Sequence, residues 1–160
     1  MKNEILSLLE KDSRLTAAKI SVMLGIDEND VKAIIAELEE ENIILGYKTI
    51  VNWELAGRET TVANIELKLT PQRGGGFDTV AERIYKFPQV KSVTLMSGAY
   101  DLLVTVEGKS LKDVAMFVSE RLAPMESVVS TATHFELKTY KKDGILFAEK
   151  EKDDREVMGI

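Results

Sequence analysis

The sequence predicts an α+β chain built from two modules: a three-helix head closed by a short apolar hairpin, then a β-α-β-β-α-β run. Three observations predict it. Apolar residues recur at helical spacing from Asn3 to about Asn42. Strand-like alternation and helix-like spacing then take turns from Val62 to Tyr140. Between them lies an apolar stretch, 43–51, interrupted by a glycine at Gly46.

In the head, Ile5, Leu8 and Leu9 form one stripe and predict a helix over 3–11, which Asp12, Ser13 and Arg14 end. Thr16 is placed to cap a second helix, with Ala17, Ile20 and Leu24 inward and Gly25 as its stop. Asp27 caps a third, with Asp30 three residues on and Val31, Ile34, Ile35 and Leu38 as its apolar face. Two helices joined by a turn around one glycine make a helix-turn-helix. Residues 43–51 read as two short strands turning at Gly46 and Tyr47, which makes that head a winged helix-turn-helix. The expected boundaries are 1–52 for the head, 53–61 for a connector, 62–140 for the second domain and 141–160 for a charged tail. Within that tail Ile145, Leu146 and Phe147 are the only docking segment.

The second domain opens with a strand over 62–69 and a loop over 71–76. A helix follows over 77–86, with Phe77, Val80, Ala81 and Ile84 inward, and a strand over 90–96. Ser97, Gly98 and Ala99 make a tight turn into a strand over 102–106. A helix within 108–123 has Ser110 as its cap and Leu111, Val114, Ala115 and Val118 inward, and a long last strand covers 128–140. This order is the ferredoxin-like split βαβ unit, one sheet with helices on one face. The other face is expected to bury itself against a second copy. Ile65, Leu67, Leu69, Val93, Leu95, Leu103 and Val104 are too many apolar residues to leave solvated; they divide between the two faces, and the sequence does not say which half is outward.

Composition narrows the function classes. The 160 residues contain no cysteine, which excludes disulfides and thiolate metal sites. No apolar run approaches the roughly 20 residues of a membrane span, and the N-terminus lacks the pattern of a signal peptide, so a soluble cytoplasmic protein without membrane contact is expected. Enzyme signatures are thin. His134 is the one histidine, and Gly74, Gly75 and Gly76 lack the lysine that would make a phosphate loop. No metal or other cofactor is implied.

Several segments carry a family likeness. The run from Ile5 to Leu15, the run from Leu38 to Tyr47, and the turn Ser97-Gly98-Ala99-Tyr100-Asp101-Leu102 resemble, in that order and spacing, the Lrp/AsnC (feast/famine) transcription regulators. One departure is Asn42, where that family more usually has glycine. The resemblance covers roughly residues 1–140. It implies a regulator of double-stranded DNA whose second domain is of the RAM/ACT-like ferredoxin type. It also implies homodimers through that domain, assembling further up to octamers, and amino-acid effectors bound where these domains meet.

Two sites follow. In a helix-turn-helix the start of the second motif helix faces the base edges. That places Glu28, Asn29 and Lys32 at DNA, with Arg14 and Lys48 as flanking cations. Charge opposes this. The chain carries −6, and residues 1–57 hold six basic against eleven acidic side chains, a net −5. DNA affinity rests largely on phosphate neutralisation. Family members usually carry serine near 27 and arginine near 34, where this chain has Asp27 and Ile34. The alternative is a head that has lost DNA binding and serves as a protein-contact module. The second site is the turn Ser97, Gly98, Ala99, Tyr100, Asp101. Gly98 exposes backbone N–H groups suited to a carboxylate, and Asp101 suits an ammonium. The bland reading is a hairpin turn and its cap. The resemblance favours the effector reading and adds Thr131 and Thr133 as a neighbouring wall. Some proteins of this architecture are sirohaem decarboxylases. Here Arg83, Tyr85, Lys86, Tyr100 and His134 form no evident cluster.

Overall fold

The computed structural model describes residues 1–70 and 76–147. The loop expected over 71–76 therefore lies, apart from Gly76, outside the described residues, as does 148–160 of the expected tail. The chain divides into two compact units, Met1–Val51 and everything from Asn52 onward.

The first unit holds α1 (Lys2–Lys11), α2 (Ala17–Leu24) and α3 (Glu28–Glu40). Ile5, Leu9, Ile20 and Val31 form its buried centre, with Leu8, Leu15, Leu24, Ile34 and Ile35 packed around them. The helix ends follow local chemistry. The Thr16 hydroxyl accepts from the Lys19 N–H, and Asp27 Oδ1 accepts from the Asn29 N–H. Gly25 closes α2 in the left-handed region. After α3, Asn42 takes a positive φ of 56°. Its N–H donates to the Glu39 carbonyl and that of Ile43 to the Leu38 carbonyl, the Schellman arrangement. This left-handed position accounts for the glycine preference noted at residue 42. The expected wing strands do not form. Residues 45–52 carry no strand ladder, because strand pairing needs a partner and no described segment supplies one.

The second unit contains β1 (Thr61–Leu69), α4 (Asp78–Ile84), β2 (Val90–Leu95), β3 (Leu102–Gly108), α5 (Leu111–Phe117) and β4 (Val128–Phe135). Its sheet is antiparallel, in the order β2-β3-β1-β4, as the split βαβ order requires. Ala63, Ile65, Leu67, Leu102, Val104 and Val106 face the helices, where Val80, Ile84, Val114 and Leu122 meet them. Phe87 and Phe117 pack edge to face with ring centres 5.3 Å apart.

Three expectations are corrected here. α5 does not run on as one regular helix; residues Val118–Leu122 form a π-helical turn. The buried stripe is Val114, Phe117, Val118 and Leu122, while Leu111 is 59% exposed and Ala115 is also outside the core. β4 stops at Phe135 rather than continuing to Tyr140. The residues 141–146, expected as a tail, form a hairpin of β5 (Lys141–Lys142) and β6 (Ile145–Leu146). Asp143 and Gly144 make its turn with φ of 47° and 80°, the type I′ pattern that this dipeptide favours.

The open sheet face is also unlike the expectation. Cross-strand register puts Ile65, Leu67, Leu69, Val93, Leu95 and Val104 on the helix-covered side and only Leu103 on the other. The open side carries Asn64, Glu66, Thr105 and His134. Thr105 Oγ1 donates to Asn64 Oδ1 at 2.9 Å, Asn64 Nδ2 donates to Glu136 at 3.0 Å, and His134 Nε2 lies 3.3 Å from Glu66. Apolar Val62 and Ala132 join Leu103 on this side, set among these polar groups.

Candidate nucleic-acid interface and effector turn

At the start of α3, Asn29 is exposed, and Lys32 Nζ pairs with Glu28 one turn earlier at 2.6 Å. Arg14 lies between α1 and α2. Its guanidinium makes a two-pronged contact with Asp12, Nε to Oδ1 at 2.9 Å and Nη2 to Oδ2 at 3.0 Å. Those bonds hold the Asp12 carboxyl down at about 2 and push the Arg14 pKa up. Lys2 pairs with Glu37 at 2.7 Å and Glu41 at 3.6 Å, tying α1 to the end of α3. Lys48 sits exposed in the extended segment after α3 and has no ion pair among the described residues. The carboxylates of the head thus already hold three of its six cations, Lys2, Arg14 and Lys32.

The turn between β2 and β3 is closed by the Met96 N–H donating to the Asp101 carbonyl at 2.8 Å. Gly98 sits at φ 140°, where a side chain would be strained, with open space around it. Ser97, Gly98 and Ala99 are exposed, and Tyr100 and Asp101 are half-buried. Asp101 Oδ2 accepts from the Leu69 N–H at 2.7 Å, and the Asp101 N–H donates to the Leu67 carbonyl at 2.9 Å. Asp101 thus pins the turn to β1 where the register with β4 slips between Lys68 and Leu69. Its other oxygen, Oδ1, has no hydrogen-bond partner among the described residues. Thr131 and Thr133 do not join this turn. Thr131 pairs with Leu67, and Leu67 pairs with Leu102, so the turn and the threonine strand stand two strands apart, about 10 Å at ordinary strand spacing.

This arrangement matches known proteins along most of its length. Residues 62–146 match the model of the Lrp/AsnC ligand binding domain, and residues 2–44 match a winged helix-turn-helix DNA-binding model. The chain belongs to the Lrp/AsnC family. It is a DNA-binding transcription regulator with a ligand-binding domain, not an enzyme. The uncharacterized HTH-type transcriptional regulator YugG of Bacillus subtilis is 49% identical over 98% of this chain and 95% of its own length. A second such regulator, PH0140 of Pyrococcus horikoshii, is 31% identical over 88% of this chain and 85% of its own. Among solved structures, the Neisseria meningitidis regulator NMB0573 in complex with L-Met superposes with a TM-score of 0.71 at 21% identity. That match covers 88% of this chain and 90% of the other, and it bears on the fold. No helix among the described residues is long and apolar enough to cross a membrane.

The sequence located the turn at residues 97–101 and the start of α3. It missed the Asp101 to Leu69 bond, which joins residues 32 apart, and the ion pairs that occupy Arg14 and Lys32.

Proposed function

We propose that this regulator senses an amino acid at the turn Ser97, Gly98, Ala99, Tyr100, Asp101, and that Arg14, Glu28, Asn29, Lys32 and Lys48 form its DNA contact. The head is assigned to residues 1–52, the connector to 53–61 and the sensing domain to 62–140, with the 141–146 hairpin appended. The observation that carries the effector assignment is the split use of Asp101. One carboxylate oxygen anchors the turn through the Leu69 N–H, and the other remains to take an ammonium. The exposed backbone at Gly98 offers N–H groups to a carboxylate. The L-Met complex of the Neisseria relative supports an amino acid as the ligand class. Thr131 and Thr133 belong to this site only if a second copy brings its own β4 to the turn.

The regulator acts as a homodimer or a larger homo-oligomer, up to an octamer. What supports assembly is not the open sheet face but the extended segment after α3. There Ile43, Leu45, Tyr47, Val51 and Trp53 are exposed, Leu45 to 87%, and 45–52 has no strand partner among the described residues. An unpaired, apolar extended segment invites pairing with a second chain. A sedimentation run that gives a stable monomer at micromolar concentration contradicts this.

A thermal-shift screen against the twenty amino acids tests the ligand class. A true effector at a hundredfold excess over its Kd stabilises the folded chain by about 2.7 kcal/mol. Stabilisation by one or a few amino acids, lost in Gly98→Val, is the expected result. A flat screen on a well-folded oligomer overturns the amino-acid assignment.

A further inference from the structure

The head's weak charge for its task points to cations elsewhere in the chain. Three lysines, Lys138, Lys141 and Lys142, fall within five residues, a density of positive charge reached nowhere else in the sequence. The β5–β6 hairpin presents two of them, and Lys138 leads into it: Lys141 pairs with Leu146, Lys142 with Ile145, and the Phe147 N–H donates to the Tyr140 carbonyl at 2.9 Å. All three lysines are exposed, and none is ion-paired among the described residues. Lys138 Nζ lies 5.3 Å over the exposed Tyr140 ring. The nearby Glu136 carboxylate is already engaged by Asn64 Nδ2, which leaves Asp143, in the turn, as the acid next to the strip. An open depression of about 500 Å³ runs along Glu136, Lys138, Thr139, Tyr140, Lys141 and Lys142.

We infer that the strip Lys138–Tyr140–Lys141–Lys142 is a second nucleic-acid contact, which takes the phosphodiester backbone of duplex DNA without reading its sequence. The argument is one of charge and presentation. In the head, Lys2, Arg14 and Lys32 are held by Glu37, Asp12 and Glu28, so each must give up an intramolecular pair to reach a phosphate. On the strip the ammonium groups face no such competition among the described residues. Each phosphate they neutralise releases a condensed counterion, which is the main source of sequence-independent affinity. A second contact on the same chain also raises the effective concentration of DNA at the head. The inference goes beyond the head's role and needs no particular placement of head against hairpin.

The test is the salt dependence of binding by the full chain, read by anisotropy with a labelled 60-base-pair duplex of mixed sequence. K138Q/K141Q/K142Q is compared with K109Q/K112Q/R121Q, which removes the same charge from around α5, and with K138R/K141R/K142R, which keeps it. All variants share the residues after Phe147, so the charges there are constant. The slope of log K against log salt is expected to fall by up to about 2.7 per engaged chain in the strip glutamine variant, at about 0.9 per phosphate. It should stay at the wild-type value in the arginine variant and in the α5 variant. Melting temperatures should match across all four proteins, because every altered side chain is exposed. Equal slopes for the strip and α5 glutamine variants overturn the inference while leaving the head's role standing. Loss of binding in the arginine variant overturns a purely electrostatic strip. A wild-type chain that binds no duplex at low salt overturns both the strip and the head as DNA contacts.

Discussion

The two units hold themselves together by different means. Among the described residues, the head closes on a cluster of four buried side chains, Ile5, Leu9, Ile20 and Val31. The second unit closes on thirteen, drawn from β1, β3, α4, α5 and the π-helical turn. With so little buried area, the head relies on its helix ends. Thr16, Gly25, Asp27 and Asn42 each occupy a cap or left-handed position that satisfies backbone groups. The sheet unit relies on cross-strand rows and can carry irregularities, including the register slip at Lys68/Leu69, without losing its core. The lesson is that identical chemical deletions should weigh differently in the two halves.

The largest effect is expected from core deletions. Leu67→Ala and Ile20→Ala each remove a fully buried side chain and should each cost about 2–5 kcal/mol. In the head that sum is a large share of the unit's stability, so Ile20→Ala should unfold residues 1–51 alone. Urea unfolding followed by helical circular dichroism and by Trp53, the single tryptophan, which belongs to the second unit, should then give two separate transitions. One shared transition in Ile20→Ala would mean that the units fold as one.

Asp101→Ala comes next. It removes the charged acceptor of the Leu69 N–H, so a loss of roughly 1.5–3 kcal/mol is expected along with the amino-acid response. The bond to β1 makes Asp101 a support of the fold as well as a turn residue. Asp101→Asn keeps a neutral acceptor and should recover most of the stability while still failing to respond. Full response in the asparagine variant would remove the ammonium role. Smaller again is Thr16→Ala, which deletes a single cap bond and should lower the head transition by about 1 kcal/mol and leave the second transition in place.

The helices and their caps were legible because both are set within four residues of sequence. Thr16, Gly25, Asp27 and Ser110 all sit where their chemistry placed them. The βαββαβ order was legible from alternation. What failed is non-local or depends on phase. The wing strands lack a partner among the described residues. Leu111 and Ala115 flank the inward stripe of α5 on the exposed side, and Phe117, with Leu122 in the π-helical turn, takes the core positions instead. The seven apolar strand residues were left to divide between the two faces, and by register six go to the helix side and only Leu103 to the open one, since a list of strand residues does not say which alternate set faces the helices. The Asp143-Gly144 hairpin was in plain view as a turn dipeptide, masked by the charges around it. At the site, the turn was legible and its anchor was not, because Asp101 and Leu69 meet only in the folded sheet.

The smallest expected effect concerns the acidic start of α3. Glu28→Gln removes a carboxylate and releases Lys32 from its pair without touching the Asp27 cap. Tighter DNA binding, by less than about tenfold or 1.4 kcal/mol, is expected if this helix enters the groove. Unchanged affinity would place α3 away from the DNA.

The most direct test of the whole account couples its two halves. Duplex DNA from upstream of the protein's own gene is titrated with the full chain at low salt, with and without the amino acid that stabilises it most. The account predicts binding in both cases and a change in Kd of about 5- to 150-fold on saturation, the usual range of a coupling free energy between two sites. The change should disappear in Asp101→Asn. Binding that is indifferent to every amino acid, in a protein that is folded and assembled, would contradict the claim that the turn at Gly98 senses a ligand on behalf of the head.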